Sequence, residues 1–588
     1  MDKFCWDFKE FFESDMEFEK ELGSFTMTVE SLRDRIQDFT LYELLEKYYV
    51  LAFRCEKLVS YAELNSDLDM GEQKYINYKN MIYAKKSLVD EIKDLINEKI
   101  LLVVDELDEY LKHNPELRKY QMHLYEVLRL KQHNVNDLNV RNLTTLIPKI
   151  NGLYRTIQNV ELKYGEVVIN GEKVIINAKN YGKYLTNPSK VVRKKVFDTF
   201  TGSLERVNKS ISGLLDIRLK LCFNIATLKG YNTVLEQVLS EDDLNMEIVD
   251  NLIKVVNDNL KLLSRYFSLK EQSQGLSKLN AYDLKLSTTF DKDLSFEEGV
   301  EIVKKSLLIM GDEYNEMLNS VLAGGCLDVY PKENKALGGY HWRNYTKPMI
   351  LMNYNENFRD IYTITHELGH AVNGLMIKKN QGFQDFHFSV FLSEIASKVN
   401  ENILDNYLIN NAETDLEKKY ILEQKLANYV DSVFSQTLFL ELDRELYKII
   451  EAGKSLNSDI INETFCTLYK KYYNDIEDNE QLKYLWQTRL HMFYEQYRYY
   501  NFQYATGLII ALKLSNDIIN DKDNMLNKYL EFLTIGGSKP TLESLKLTGI
   551  DFSSMETFND GMNYFSNLLD KYEEVLNKEK PVIKIKKG

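Results

Sequence analysis

Only 7 prolines and 26 glycines punctuate 588 residues. Proline fixes φ and removes a backbone donor, and glycine supplies the turns that other residues resist. A chain so poor in both cannot turn often, so long helices with few breaks are expected. Hydrophobic residues at 44% and charged residues at 28% suit a globular protein with a sizeable core, and the expected fold class is mainly α. The net charge of −15 argues against nucleic acid as a partner, because phosphate binding needs a basic face. The five cysteines (Cys5, Cys55, Cys222, Cys326 and Cys466) are scattered and lack CxxC spacing. That pattern argues against a disulfide framework or a thiolate zinc site. The first residues, MDKFCWDFKEFFESD, carry charge where a signal peptide would be apolar, and no run of about 18 apolar residues occurs. A reduced, cytoplasmic setting without a membrane partner is expected.

Helical periodicity runs through residues 1–165, with the segment 41–62 apolar on helical spacing and breaks at 69–71 and 113–115. Residues 164–177 change character: two β-rich runs flank Asn170-Gly171, a strong hairpin signal. Asn187-Pro188-Ser189 opens a basic helix whose buried positions are expected at Val191, Val192, Val196 and Phe197. A domain boundary is expected near 185, giving a helical domain over 1–185 and a second domain over 186–588. Ser240-Glu241-Asp242-Asp243 reads as a cap starting a new helix. A small sheet is expected within 326–353, bracketing Gly338-Gly339-Tyr340, and helices resume at 358.

The sharpest motif is His366-Glu367-Leu368-Gly369-His370. On a helix, positions i and i+4 share a face, so both imidazoles can reach one metal ion, with Glu367 beside them to move a proton. From composition, about 0.02 such matches are expected in a chain of this kind. Gly369 is out of place in a helix interior, where it costs about 1 kcal/mol relative to alanine, unless another element passes close by. Downstream, Glu394 and Glu401 lie seven apart on a second helical stretch. Glu394 is either a third metal ligand or a solvated charge; spacing alone leaves both open. A third cluster runs from His491 to Tyr504, where His491, Tyr497 and Tyr504 are either donors to a developing oxyanion or ordinary aromatic packing.

Four blocks together resemble oligoendopeptidase F, in the thimet-oligopeptidase family of zinc metallopeptidases. They are Leu228 to Glu236, Asp328 to Tyr354 through Gly339-Tyr340, the HELGH block with Glu394-Ile395-Ala396-Ser397, and His491 to Gly507. The resemblance implies a large, two-lobed helical peptidase with a deep central channel and a small sheet beside the HExxH helix. It implies one Zn2+ per chain held by His366, His370 and Glu394, with Glu367 as general base. It further implies that His491, Tyr497 and Tyr504 hold the substrate and its oxyanion, and that Gly339 and Tyr340 belong to an edge that pairs with the peptide. Glu401 is read as a partner orienting a ligand histidine. The expected activity is cleavage of internal bonds in short peptides. Departures from the family pattern stand at Asn373, His341, His387 and Phe502, and those at His341, Asn373 and Phe502 motivate one alternative, a catalytically weakened peptide-binding homologue. A purely structural metal site is disfavoured because no cysteine lies near the motif.

Overall fold

A computed structural model describes residues 4–133, 138–477, 479–494 and 498–579. Helices dominate it, as the scarcity of proline and glycine requires, and no described helix is long and apolar enough to cross a membrane. The chain forms two compact units, each drawn from three stretches. The first comprises Met1–Gln132, Asp291–Leu404 and Leu514–Ile550; the second comprises His133–Phe290, Asp405–Lys513 and Asp551–Gly588. Residue 185 lies inside the second unit.

The first unit is built on a helical hairpin. Its first arm, Leu41–Leu68, starts at a capping box in which Thr40 and Glu43 satisfy each other's backbone N–H groups. Leu44, Leu45, Tyr48, Leu51, Cys55, Leu58 and Ala62 form its buried stripe. The second arm, Gln73–Val103, packs Tyr78, Ile82, Val89, Ile92, Ile96 and Ile100 into the same core. The chain reverses between them at Asp69–Glu72, where the sequence breaks.

The expected small sheet is also in this unit. It has the order β3 (Leu327–Asp328), β5 (Met349–Leu351), β4 (Tyr340–Trp342), with β3 parallel and β4 antiparallel to β5. Both faces of β5 are covered, and Met349 and Leu351 join the core of the helical hairpin. β4 is an edge strand. Gly339, which leads into it, sits so close to the helix Asp360–Asn380 that an added Cβ would meet the Thr363 methyl at 2.6 Å.

In the second unit, β1 (Glu166–Ile169) and β2 (Glu172–Ile175) form the expected hairpin. Asn170 and Gly171 both take positive φ (53° and 86°), the conformation that Asn-Gly accepts most readily. The helix Lys190–Leu228 follows Ser189, with Val196 and Phe197 buried as expected. Val191 is exposed and Val192 half-buried instead, while Arg193 is buried. There it donates Nε and Nη2 to Asp283 Oδ1 at 2.9 and 2.7 Å. Ser240 does not start a helix: it lies in the last turn of Val234–Glu241. Asp243 then reverses the chain at φ 54°, and Asn245 caps the next helix by accepting from the Ile248 N–H.

Candidate metal centre

Two helices of the first unit build the site. Asp360–Asn380 carries His366, Glu367 and His370; Val390–Asn411 carries Ser393, Glu394, Lys398 and Glu401. Gly369 explains how the helices come together. A Cβ there would stand 2.7 Å from Ser397 Cα and 3.0 Å from the Ala396 carbonyl oxygen, so only glycine lets the second backbone approach this closely. Buried polar contacts reinforce the pair: Asn400 Nδ2 donates to the Thr365 carbonyl at 3.5 Å and accepts at Oδ1 from Tyr314 Oη at 2.8 Å.

The close approach brings Glu394 to both histidines, with its oxygens 3.7 Å from His366 Nε2 and 3.8 Å from His370 Nε2. The two Nε2 atoms face each other at 3.2 Å. His366 Nδ1 donates to the Glu401 carboxylate at Oε1, 2.5 Å away, and His370 Nδ1 is hydrogen-bonded to Ser393 Oγ at 3.0 Å. With both Nδ1 positions engaged, the two Nε2 atoms converge on one point beside a carboxylate, an arrangement suited to a cation. A four-coordinate ion with bonds of about 2.0–2.1 Å places neighbouring donors about 3.3–3.4 Å apart, close to the spacings seen.

Charge supports the same assignment. Burial, with the neighbouring His366, His341 and Arg343, holds the His370 imidazole well below its ordinary pKa, so it stays neutral and keeps its lone pair. Burial is the strongest single influence on His366 and acts against its charged form, yet the hydrogen bond to Glu401 and the negative charges of Glu401 and Glu367 together raise its pKa. Burial alone would raise Glu401; the Lys398 ammonium, 2.8 Å away, and His366 hold it down at about 2. Glu401 is thus a fixed anion behind the His366 imidazole. Glu367 belongs to the same cluster, its carboxylate and the two imidazoles offering ligand atoms within 4.8 Å of one another. It is buried, which pushes its pKa up to about 7, and it accepts the backbone N–H of His341. That hydrogen bond turns it toward the edge strand, whereas Glu394 faces both Nε2 atoms.

The departures also find their places. His341 on β4 stacks over the His370 ring, with centroids 6.0 Å apart. His387 is no ligand candidate: its Nε2 pairs with Glu56 Oε2 at 2.6 Å. Asn373 is buried and donates to the Leu533 carbonyl at 2.9 Å, tying the stretch Leu514–Ile550 to the motif helix. Phe502 is fully buried in the second unit. There too, His491 Nε2 and Tyr504 Oη lie 3.3 Å apart, with Tyr500 stacked on His491 at 6.2 Å. Tyr497 lies outside the described residues. Sequence reasoning missed Ser393, Lys398 and Arg343. Lys398 and Glu401 show an i,i+3 charge pattern, and Ser393 adjoins Glu394, but nothing in the sequence singles out Arg343.

Known proteins agree with this picture. Peptidase family M3 matches residues 183–564, and the chain belongs to that family. It is a metallopeptidase, a hydrolase of peptide bonds that acts on oligopeptides. The chain is 28% identical to the oligopeptidase PepF of Bacillus subtilis over 591 residues, covering 98% of this chain and 88% of that one. It is 28% identical to an oligoendopeptidase F homolog of Borreliella burgdorferi, covering 97% and 98%. The crystal structure of oligoendopeptidase-F from Enterococcus faecium superposes with a TM-score of 0.71 at 24% identity, covering 97% and 99%.

Proposed function

We propose that this chain is a zinc-dependent endopeptidase that hydrolyses internal bonds of short peptides, with His366, His370 and Glu394 holding one Zn2+. The observation that carries the reading is the pair of facing Nε2 atoms at 3.2 Å, each imidazole fixed through its Nδ1, with Glu394 beside both. When bound, zinc supplies Lewis acidity, polarising a carbonyl and making water acidic near neutral pH. Glu367 takes a proton from the attacking water on its carboxylate and passes it to the leaving amine. A carboxyl raised toward neutrality by burial suits both halves of that task. Glu367 works deprotonated, so kcat/KM falls as pH drops through its pKa, and a bound cation would move this acid limb below about 7. Glu401 keeps His366 in the tautomer that presents Nε2. The edge strand β4, with Gly339 before it, offers backbone groups to an extended peptide. The roles of His491, Tyr497 and Tyr504 as donors to the substrate and its oxyanion rest on the resemblance to the family. A cytoplasmic location fits the five scattered cysteines, which lack CxxC spacing.

The test is to incubate the purified chain with a peptide mixture and with a folded protein, with and without a chelator, and to read products by mass spectrometry. Internal cuts in the peptides alone, abolished by chelator and restored by zinc, are the expected result. A zinc-loaded chain that binds peptides and cuts none would replace this reading with that of a peptide-binding homologue.

A further inference from the structure

Beside the metal centre, wholly within the first unit, lies a cavity of about 450 Å3, and one of its lining residues has a charge without a counter-charge. β4 alternates. Tyr340 Oη donates to Asp67 at 2.6 Å and Trp342 Nε1 donates to Ser60 Oγ at 2.9 Å, both toward the helix Leu41–Leu68. The alternate positions, His341 and then Arg343, belong to the metal side: His341 stacks on His370, and Arg343 is within electrostatic reach of Glu394 and His370.

The Arg343 guanidinium lies over the Phe388 ring, 4.4 Å from its centroid, and among the described residues it makes a single hydrogen bond, from Nη1 to the Phe388 carbonyl at 3.2 Å. Among the described residues no carboxylate pairs with it. Glu56, across the cavity, is already engaged by His387 Nε2 at 2.6 Å and by the Tyr345 N–H at 2.7 Å. Glu394 faces the two ligand imidazoles. Burial lowers the guanidinium to about 10, which leaves it charged at neutral pH. A planar fork with most of its N–H groups open, half-buried in an aromatic-walled cavity, matches a carboxylate in both shape and charge. Tyr49 and Phe383 supply apolar surface on the same cavity.

We propose that Arg343 and this cavity form a subsite for a carboxylate of the peptide substrate, supplied either by its C-terminus or by an acidic side chain. The inference rests on the peptidase reading above and names a substrate preference for it. Arg343 is a specificity residue here, and the bond-breaking groups are those already described.

Two matched peptide pairs separate the sources. One pair differs only in a C-terminal acid or amide; the other carries Glu or Gln internally and is amidated at its end. Binding is measured by calorimetry on the zinc-loaded Glu367→Gln chain, in which turnover is stopped, and kcat/KM is measured on the native zinc-loaded chain. A charge-assisted pair predicts a preference of about ten- to hundredfold for the carboxylate member of one pair. Whichever pair shows it identifies the source. Adding Arg343→Gln removes the preference, and Arg343→Lys retains part of it. Should Arg343→Gln fail to fold, as judged by thermal melting, the ratios in the native and Arg343→Lys chains decide. Ratios near one for both pairs in the native chain, or a preference that survives Arg343→Gln, would overturn the proposal. Failure of the peptidase reading would look different: peptides bound with the predicted ratio and left uncut by the native zinc-loaded chain.

Discussion

The histidines of the metal centre and the histidine of the second unit are held in different ways. His366 and His370 have each ring fixed through Nδ1, by Glu401 and Ser393, so that Nε2 has one direction to face. His491 instead lies among aromatic rings, stacked with Tyr500 and edge-on to Tyr504 at 5.6 Å. The chain around it is anchored from below. Buried Arg218 donates to the Tyr494 carbonyl at 2.7 Å, and Asn501 Nδ2 donates to Asp443 at 3.0 Å. Burial pushes the Asp443 carboxyl up to about 7. Two imidazole Nε2 atoms and a carboxylate meeting at one point suit a cation, so geometry speaks more plainly for the first group. Hydrogen-bond donors for an oxyanion are hard to tell from packing, because aromatic residues pack this way throughout the chain.

The comparison can be broken from either side. The largest effect is expected at the metal centre. His370→Ala removes a ligand and leaves Glu394 and His366 facing an incomplete set, so zinc content falls and kcat/KM drops at least about 10³-fold. Metal analysis beside peptide cleavage checks it, and a variant that keeps both would remove His370 from the site. In the second unit, Tyr504→Phe lowers kcat about 10²- to 10³-fold with zinc content unchanged if Tyr504 donates to the oxyanion. A loss under about threefold would return it to packing. Glu401→Gln is intermediate: zinc affinity weakens about 10- to 100-fold, as for other partners that orient a ligand histidine. Competition with a chelating dye measures this, and unchanged affinity would deny Glu401 its role. The smallest effect is expected at Gly369→Ala. The added methyl pushes against the Ser397 backbone and costs about 1–3 kcal/mol of stability, read as a lower Tm with weakened zinc binding. An unchanged Tm would mean that the helices separate freely.

Much of this was legible in the sequence because its causes are local. The HExxH spacing, the Asn170-Gly171 turn and the stripe from Leu44 to Ala62 each follow from backbone geometry within a few residues. Gly369 pointed to a close approach, and the second helix supplies it. What escaped depends on distant chain. Ser240 looked like a cap, but the left-handed turn at Asp243 and the Asn245 side chain decide where the helix starts. Arg193 is buried against expectation because Asp283, ninety residues on, neutralises the guanidinium. The two compact units each gather three stretches, which no local pattern announces. Arg343 was invisible because its significance lies in the lack of a carboxylate among residues far from it in sequence.

The central claim is that Glu367 is the base beside a zinc ion held by His366, His370 and Glu394, and Glu367→Gln tests it most directly. Metal content and peptide cleavage are measured on the same preparation. The account predicts about one zinc per chain and no detectable cleavage. Near-normal turnover with zinc in place would contradict it.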